Sequence, residues 1–128
     1  MKTVMCFGVF DNLHLGHLSY LKQAKKYGDQ LIVVVARDKN VLRIKGKFPK
    51  QNEKIRQKAI QKLNLSQKVI LGQLQDKFKV VIEYRPDIIC LGYDQVVDTK
   101  ELKQIFPRKI VRLKSYKSNI YKSSKLIN

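Results

Sequence analysis

The sequence predicts an α/β fold, a single-domain, doubly wound (Rossmann-like) parallel sheet of about five strands with flanking helices. Three observations lead to this prediction. Unbroken apolar runs of strand length alternate with segments of helical periodicity. No internal repeat or low-complexity linker divides the chain. Its 128 residues, 44% of them hydrophobic, suit one core. We therefore treat residues 1–128 as one domain.

The first β-α-β unit is predicted over residues 3–36. Its two strands are the apolar runs TVMCFG at 3–8 and LIVVVA at 31–36, each suited to burial on both faces. Between the strands, four residues share one face at helical spacing: Leu18, Leu21, Ala24 and Lys25.

The rest of the chain continues the alternation. Asn52 is suited to cap a helix. The predicted apolar side of that helix consists of Ile55, Ala59, Ile60 and Leu63. Three further strands are predicted from KVILG at 68–72, DIICLG at 87–92 and KIVRL at 109–113. Short helical segments are expected at 76–84, 99–106 and 123–127. Right-handed crossovers would bring the carboxyl ends of all strands to one edge, where such sheets bind ligands.

The charge balance indicates an anionic partner. The chain has 27 Lys and Arg against 10 Asp and Glu, a formal net charge of +17. Such an excess favours nucleic acid or phosphorylated metabolites, although part of it can be solvated surface. Basic residues concentrate in two segments, with ten against two acidic residues from Arg37 to Lys62 and seven against none from Arg108 to Asn128.

Other features predict a cytoplasmic protein. No run approaches the ~18 apolar residues of a membrane span, and the N-terminus lacks a cleavage pattern. Cys6 and Cys90 each lie in an apolar run, which predicts buried free thiols, with a disulfide as the alternative.

The two histidines of the chain, His14 and His17, stand where the first strand gives way to the first helix. Gly8 and Gly16 allow the backbone to approach a ligand, and a helix N-terminus offers N–H groups and partial positive charge to phosphate. Two imidazoles at this place can converge on the same phosphate oxygens. The alternatives are a structural pair of imidazoles or two ligands of a metal site, although no nearby His/Cys cluster completes a zinc site.

Several segments resemble one enzyme family. GVFDNLHLGH at 8–17 resembles the G-[T/S/C]-F-D-x-x-H-x-G-H signature of the nucleotidylyltransferase (cytidylyltransferase-like) superfamily. RIKGKFPKQNEKIRQKAI resembles its lysine-bearing loop and the following helix start. RPDIICLGYDQ resembles its strand and loop at the nucleotide, and YKSSKLI the start of its C-terminal helix.

The resemblance implies roles for individual residues. His14 and His17 would bind and stabilise the transferring phosphate, Lys45 or Lys47 would contact phosphates, and Arg56 would hold the triphosphate or the acceptor. The other nucleotide-binding residues that it implies are Gly8, Val9, Phe10, Asp11, Gly16, Gly92, Tyr93, Asp94, Gln95, Lys117, Tyr121, Ser123 and Ser124.

Some of these residues also have simpler explanations. Lys45 and Lys47 could be solvated surface lysines, and Ser123 and Ser124 could cap a last helix. Asp11 is expected to organise the turn or touch the acceptor or a metal rather than act as a base. The chain also departs from the family pattern twice. A valine follows the first glycine of the motif, where the family has a small or hydroxyl residue, and a lysine at 117 replaces an arginine.

The implied reaction transfers a nucleoside monophosphate from a nucleoside triphosphate to a phosphate-bearing acceptor, with Mg²⁺, and releases pyrophosphate. GYDQ at 92–95 resembles archaeal FAD synthases more than glycerol-3-phosphate cytidylyltransferases, which favours ATP and FMN. CTP with glycerol 3-phosphate, or a related cytidylyltransferase, is the alternative within the enzyme class. A basic nucleic-acid-binding module is the alternative outside it, although the chain has no RNP motif, zinc finger or obvious recognition-helix pair. Analogy with small family members also implies a homodimer.

Overall fold

The computed structural model describes residues 1–75, 78–92, 99–106 and 108–114. The strands in these ranges are β1 (Thr3–Gly8), β2 (Gln30–Val35), β3 (Lys68–Leu71), β4 (Ile88–Leu91) and β5 (Lys109–Arg112). The helices are α1 (Leu15–Lys25), α2 (Asp38–Lys45), α3 (Glu53–Lys62), α4 (Lys79–Tyr84) and α5 (Thr99–Ile105). The five strands pair in parallel in the order β3-β2-β1-β4-β5, which confirms the predicted fold class. The helical turn expected at 123–127 lies outside the described residues.

Apolar side chains cover both faces of the sheet. Alternate residues of β1 point to opposite faces, so Val4 and Cys6 join one core and Met5 joins the other. The first core also contains Leu21 of α1 and Ile60 of α3. In the second core, α4 and α5 contribute the buried residues Val80, Val81 and Leu102. This double burial explains why the central strands read as continuous apolar runs.

The two cysteines occupy the centre of this sheet. Cys6 of β1 is the register partner of Cys90 of β4, and both are buried free thiols, as predicted. Burial raises the pKa of Cys90 to about 12 and that of Cys6 further still. Neither thiol therefore carries a thiolate nucleophile at neutral pH.

The chain reverses its winding direction between β1 and β4, and here the sheet opens. The β1–β2 ladder runs to Gly8, whereas the β1–β4 ladder ends at Cys6. The Tyr20 hydroxyl lies in this fork, 2.9 Å from the Phe7 carbonyl oxygen and 3.2 Å from that of Cys90. It also accepts the Phe7 N–H at 3.2 Å. In doubly wound sheets, such a switch point at the carboxyl edge forms the ligand crevice.

Helix α2 was not predicted. The segment that resembles a lysine-bearing loop begins within this helix, which continues to Lys45. Of its eight residues only Val41 is buried, and its other two apolar residues, Leu42 and Ile44, are exposed. The helix is also short and mostly polar, so it does not read as a core-facing element. The residues at its two ends favour a helix. Asp38 lies in the first turn, and Gly46 is the C-cap, with a left-handed backbone at φ 79°. Lys45 is thus the last residue of a helix, and Lys47 follows in the loop.

Helix α3 begins as predicted, since the Asn52 side chain accepts the Ile55 N–H at 2.9 Å. Its predicted apolar side is only partly right. Ile60 is buried, but Ile55 is 48% exposed and Arg56 takes a fully buried position instead. A buried charge paired within the protein is invisible to a pattern that counts apolar residues. None of the helices in the described ranges is long and apolar enough to cross a membrane.

Candidate active site

The turn between β1 and α1, residues 9–14, is here called the histidine turn. Two of its residues have left-handed backbones, Phe10 at φ 56° and Asn12 at φ 50°. Each such non-glycine residue costs about 1–2 kcal/mol, so neighbouring contacts must hold it. The Phe10 ring supplies one of these contacts. It is 3% exposed, and a Cβ at Gly8 would lie 2.6 Å from its Cζ, so this packing requires glycine there.

The two histidines form the N-terminal cap of α1. His14 is the N-cap residue, and its Nδ1 accepts the Gly16 N–H at 3.0 Å. In return, Nδ1 of His17 accepts the His14 N–H at 3.2 Å. The two rings stack with centroids 3.9 Å apart, and the Phe10 ring packs edge-on against His17 at 5.7 Å. Imidazoles here perform the reciprocal capping that Ser or Thr and Glu perform in other helices.

This capping defines the chemistry of both rings. A ring nitrogen that accepts an N–H carries no proton, so the proton of each neutral imidazole lies on Nε2. The helix N-terminus was expected to offer N–H groups to phosphate, but the N–H groups of His14 and Gly16 are bound by the imidazoles.

His17 is held in the neutral form. Burial lowers its pKa to about 4, the neighbouring His14 and Lys45 act in the same direction, and Asp11 opposes them. A neutral imidazole with a fixed tautomer donates one hydrogen bond and takes no proton from solvent at neutral pH. Such a group can stabilise developing charge on an oxyanion without acting as an acid or a base.

Asp11 binds the backbone of the segment before α3. Its Oδ2 accepts the Lys50 N–H at 2.8 Å and its Oδ1 accepts the Gln51 N–H at 3.0 Å. Although burial acts in the opposite direction, these two hydrogen bonds and the charges of Arg56 and Lys50 lower the pKa of the Asp11 carboxyl. The ionised carboxylate thus organises the turn, one of the roles expected for it.

Arg56 has protein partners where a phosphate was expected. Its side chain is fully buried and donates from Nε to the Gln51 carbonyl at 2.9 Å and from Nη1 to the Val9 carbonyl at 2.8 Å. From Nη2 it donates to Oδ1 of Asp38 at 2.6 Å. Asp38 also exchanges hydrogen bonds with Glu53, its N–H donating at 2.8 Å and its Oδ2 accepting at 3.2 Å.

Asp38 and Glu53 were not among the site residues predicted from the sequence. Asp38 follows the buried strand β2 at its carboxyl edge, and Glu53 follows the Asn52 cap. An acidic residue at each of these helix starts is the signal that could have found them.

The remaining expected residues divide into two groups. Lys45 and Lys47 are exposed, and Gly92 directly follows β4 across the fork from the histidine turn, where its carbonyl accepts the Arg112 Nη1 at 2.7 Å. The expected residues outside the described ranges are Tyr93, Asp94, Gln95, Lys117, Tyr121, Ser123 and Ser124. Among the described residues, no group of three or more His, Cys, Asp or Glu is arranged to hold a metal ion.

A family model described as cytidylyltransferase-like matches residues 5–128. The chain belongs to the cytidylyltransferase-like family. The resemblance seen in the sequence is thereby confirmed over nearly its whole length, and the histidine turn lies within the match.

Individual relatives agree with this assignment. The FAD synthase of Thermoplasma volcanium is 47% identical over 129 residues, covering 97% of this chain and 90% of that protein. The FAD synthase of Thermoplasma acidophilum is 45% identical with the same two coverages, and that of Aciduliprofundum boonei is 47% identical over 91% of this chain and 80% of its own length. A crystal structure described as a lipopolysaccharide core biosynthesis protein from Thermoplasma volcanium GSS1 superposes with a TM-score of 0.83 at 49% identity, covering 91% of this chain and 98% of that one.

Proposed function

We infer that this family member is an FAD synthase, which transfers AMP from ATP to FMN and releases pyrophosphate. Curated FAD synthases 45–47% identical over nearly the whole chain support these substrates. The observation that carries the chemistry is the pair of imidazoles whose Nδ1 atoms are both bound to the backbone at the switch point of the sheet. We propose that the two Nε2–H donors, which belong to rings at the same helix start, bind a common phosphate.

In the proposed reaction, a phosphate oxygen of FMN attacks the α-phosphorus of ATP. The bond from that phosphorus to the bridging oxygen breaks, and pyrophosphate leaves with the electron pair. Because the nucleophile is already an anion, the enzyme must align two negative partners and stabilise charge on the non-bridging oxygens. We assign the second task to the Nε2–H groups of His14 and His17, each contributing about 3 kcal/mol to transition-state binding.

The exposed lysines Lys45 and Lys47 are proposed to contact the nucleotide phosphates. Lys45 lies near enough to His17 to lower its pKa, which supports its placement at the site. Mg²⁺ is proposed to arrive as the metal–nucleotide complex, because it is commonly held by substrate phosphates and the described residues offer no cluster to cage it.

The loop after β4 is proposed to contact adenosine, with Gly92 at its start and Asp94 beside the ribose hydroxyls. The four C-terminal residues proposed to close on the phosphates are Lys117, Tyr121, Ser123 and Ser124. A homodimer and a cytoplasmic location remain predictions, and light scattering across the working concentration range would check the first.

The test compares two substrate pairs on the purified protein. ATP with FMN should yield FAD, detected by chromatography, together with pyrophosphate, whereas CTP with glycerol 3-phosphate should be a poor pair. His14→Ala and His17→Ala should each lower turnover by roughly 10²-fold with the fold retained, because each removes a charge-stabilising donor.

Other outcomes would redirect the assignment. Rapid turnover of CTP with glycerol 3-phosphate would keep the mechanism and reject the substrates. Tight, steeply salt-dependent binding of a short RNA without any nucleotide transfer would reject the enzyme, because such a slope reports many neutralised phosphates.

A further inference from the structure

The histidine turn is strained, and one neighbouring segment holds it. Phe10 and Asn12 both adopt left-handed backbones between the last residue of β1 and the cap of α1. A strained turn of this kind persists only where surrounding contacts over-determine it. The orientation of both imidazoles depends on it, because His14 ends the turn and caps the helix.

Residues 50–56 grip this turn through four hydrogen bonds. The donor and acceptor pairs are Arg56 Nη1 to the Val9 carbonyl at 2.8 Å, Lys50 N to Asp11 at 2.8 Å, Gln51 N to Asp11 at 3.0 Å, and Asn12 N to Gln51 Oε1 at 3.1 Å. Each residue from 9 to 12 except Phe10, whose ring is buried, takes part. The turn is therefore held by this segment in addition to the packing of its own Phe10 ring.

Arg56 anchors the gripping segment. Its guanidinium joins the Val9 carbonyl in the histidine turn, Asp38 at the start of α2 and the Gln51 carbonyl before α3. The side chain is fully buried, and Nε, Nη1 and Nη2 each have a protein acceptor. Because none of the side chain is exposed, the guanidinium would have to move to reach a phosphate, and that movement would weaken its hydrogen bonds to Asp38, Val9 and Gln51.

We propose that Arg56 is a positioning residue that holds the left-handed turn and thereby places His14 and His17, and that it does not contact phosphate itself. Its catalytic consequence rests on the proposed function, but its structural consequence does not. Without the hydrogen bond to Val9, the turn can relax toward right-handed backbones, and the imidazoles then lose their fixed N–H partners.

The chain offers a direct probe, because His14 and His17 are its only histidines. Ring-nitrogen NMR of isotope-labelled histidine, at about pH 8 where free imidazole is neutral, should show both wild-type rings with the proton on Nε2. In Arg56→Gln, which removes the charge and shortens the reach, both rings should lose this fixed tautomer. FAD formation should fall in kcat by ~100-fold, with the KM for ATP changed by less than ~3-fold.

If Arg56 instead contacts phosphate, Arg56→Gln should change the KM for ATP and leave the histidine tautomers as they are. The KM for ATP would then rise by about tenfold or more, since uniform binding of substrate would be lost. The histidine signals of the nucleotide-free protein would stay as in the wild type. That pair of results would overturn the proposal.

A control variant separates the effect on the turn from the general effect of losing an arginine in the same polar network. Arg37 belongs to the same polar network, but its hydrogen bonds go to Glu53 at 3.0 Å and to the Gly72 carbonyl at 2.8 Å rather than to the turn. Arg37→Gln should leave kcat within ~2-fold and the histidine signals unchanged. Equal effects of Arg37→Gln and Arg56→Gln on those signals would contradict a specific role for Arg56.

Gln51 provides a second test if Arg56→Gln fails to fold. Gln51→Ala removes the acceptor for the Asn12 N–H, whereas Gln51→Glu retains an oxygen in its place. The alanine variant should show a mixture of histidine tautomers and a kcat lowered by about 3–10-fold. The glutamate variant should restore the single Nε2–H tautomer and the wild-type kcat. Identical spectra for the two variants and the wild type would overturn the gripping role of this segment. Because the spectra need no substrate, a wild type that makes no FAD would reject the proposed function and leave this test intact.

Discussion

Replacing Gly16 with alanine should separate the chemistry of the site from the stability of the fold. A Cβ at this position would lie 2.7 Å from Cε1 and 3.0 Å from Nδ1 of His14. The His14 ring is exposed, so it can rotate away and relieve the clash without disturbing the core. In doing so it must give up the hydrogen bond from the Gly16 N–H.

The expected effects on stability nearly cancel. Alanine in place of glycine within a helix stabilises by about 0.5–1 kcal/mol, and the loss of an N-cap hydrogen bond costs about 1 kcal/mol. The thermal midpoint of Gly16→Ala should thus stay within about 5 °C of the wild type. Turnover should fall by ~100-fold, since a displacement of about 1 Å in a reacting constellation has effects of that size.

The assay pairs a thermal melt with FAD formation at saturating ATP and FMN. His14→Ala is the reference, because both variants remove the same imidazole from its place, one by displacement and one by deletion. Wild-type turnover in a well-folded Gly16→Ala protein would refute the reasoning that the capped position of His14 matters. A midpoint lowered by more than about 10 °C would refute the stability estimate instead.

The remaining predictions concern protonation, the turn and the fork. Because His17 titrates at about 4 in the folded protein but near 6.5 when unfolded, the unfolded state binds more protons between these values. Stability should therefore fall as pH drops from about 6.5 to 4, and denaturant melts of His17→Gln should show a weaker fall. In Asp11→Asn, the side-chain NH₂ would face a backbone N–H in place of an acceptor oxygen, which should lower the free energy of unfolding in urea melts by about 1 kcal/mol and kcat by ~10-fold. An unchanged kcat would contradict the turn-organising role. Tyr20→Phe removes the hydroxyl that accepts the Phe7 N–H and should lower the free energy of unfolding by about 1–2 kcal/mol. A urea melt of the variant that matches the wild type would contradict this prediction.

The sheet could be predicted because each buried strand can be recognised from its own apolar residues, without knowledge of its neighbours. Strands buried on both faces must be apolar at every position, as in the run from Leu31 to Val35, and such runs are rare elsewhere in so basic a chain. The place of the histidines followed in turn, because a motif between a predicted strand and a predicted helix lies at the carboxyl edge whatever the details of packing.

The missed features depend on polar pairs between distant segments. Helix α2 has one buried residue, and Arg56 is buried only because Asp38, eighteen positions earlier, reaches its guanidinium. The burial of Arg56 leaves no trace in hydrophobic periodicity, and the apolar residues of α2 other than Val41 are exposed. The capping function of His14 was also unforeseen, since histidine is not a preferred N-cap residue, and here its ring nitrogen takes the place of a hydroxyl or carboxylate oxygen.

The positive charge near the site therefore has two separate uses. The guanidinium of Arg56 is neutralised within the protein by Asp38 and serves the geometry of the histidine turn. Lys45 stays at the surface, where its charge adds to the effects of burial and of His14 in lowering the pKa of His17. In the proposed reaction, a phosphate that approaches this edge would meet exposed lysine charges and the Nε2–H groups at the start of the helix. The lysines would then attract the substrate at long range, and the imidazoles held by the turn would discriminate the geometry of the transition state.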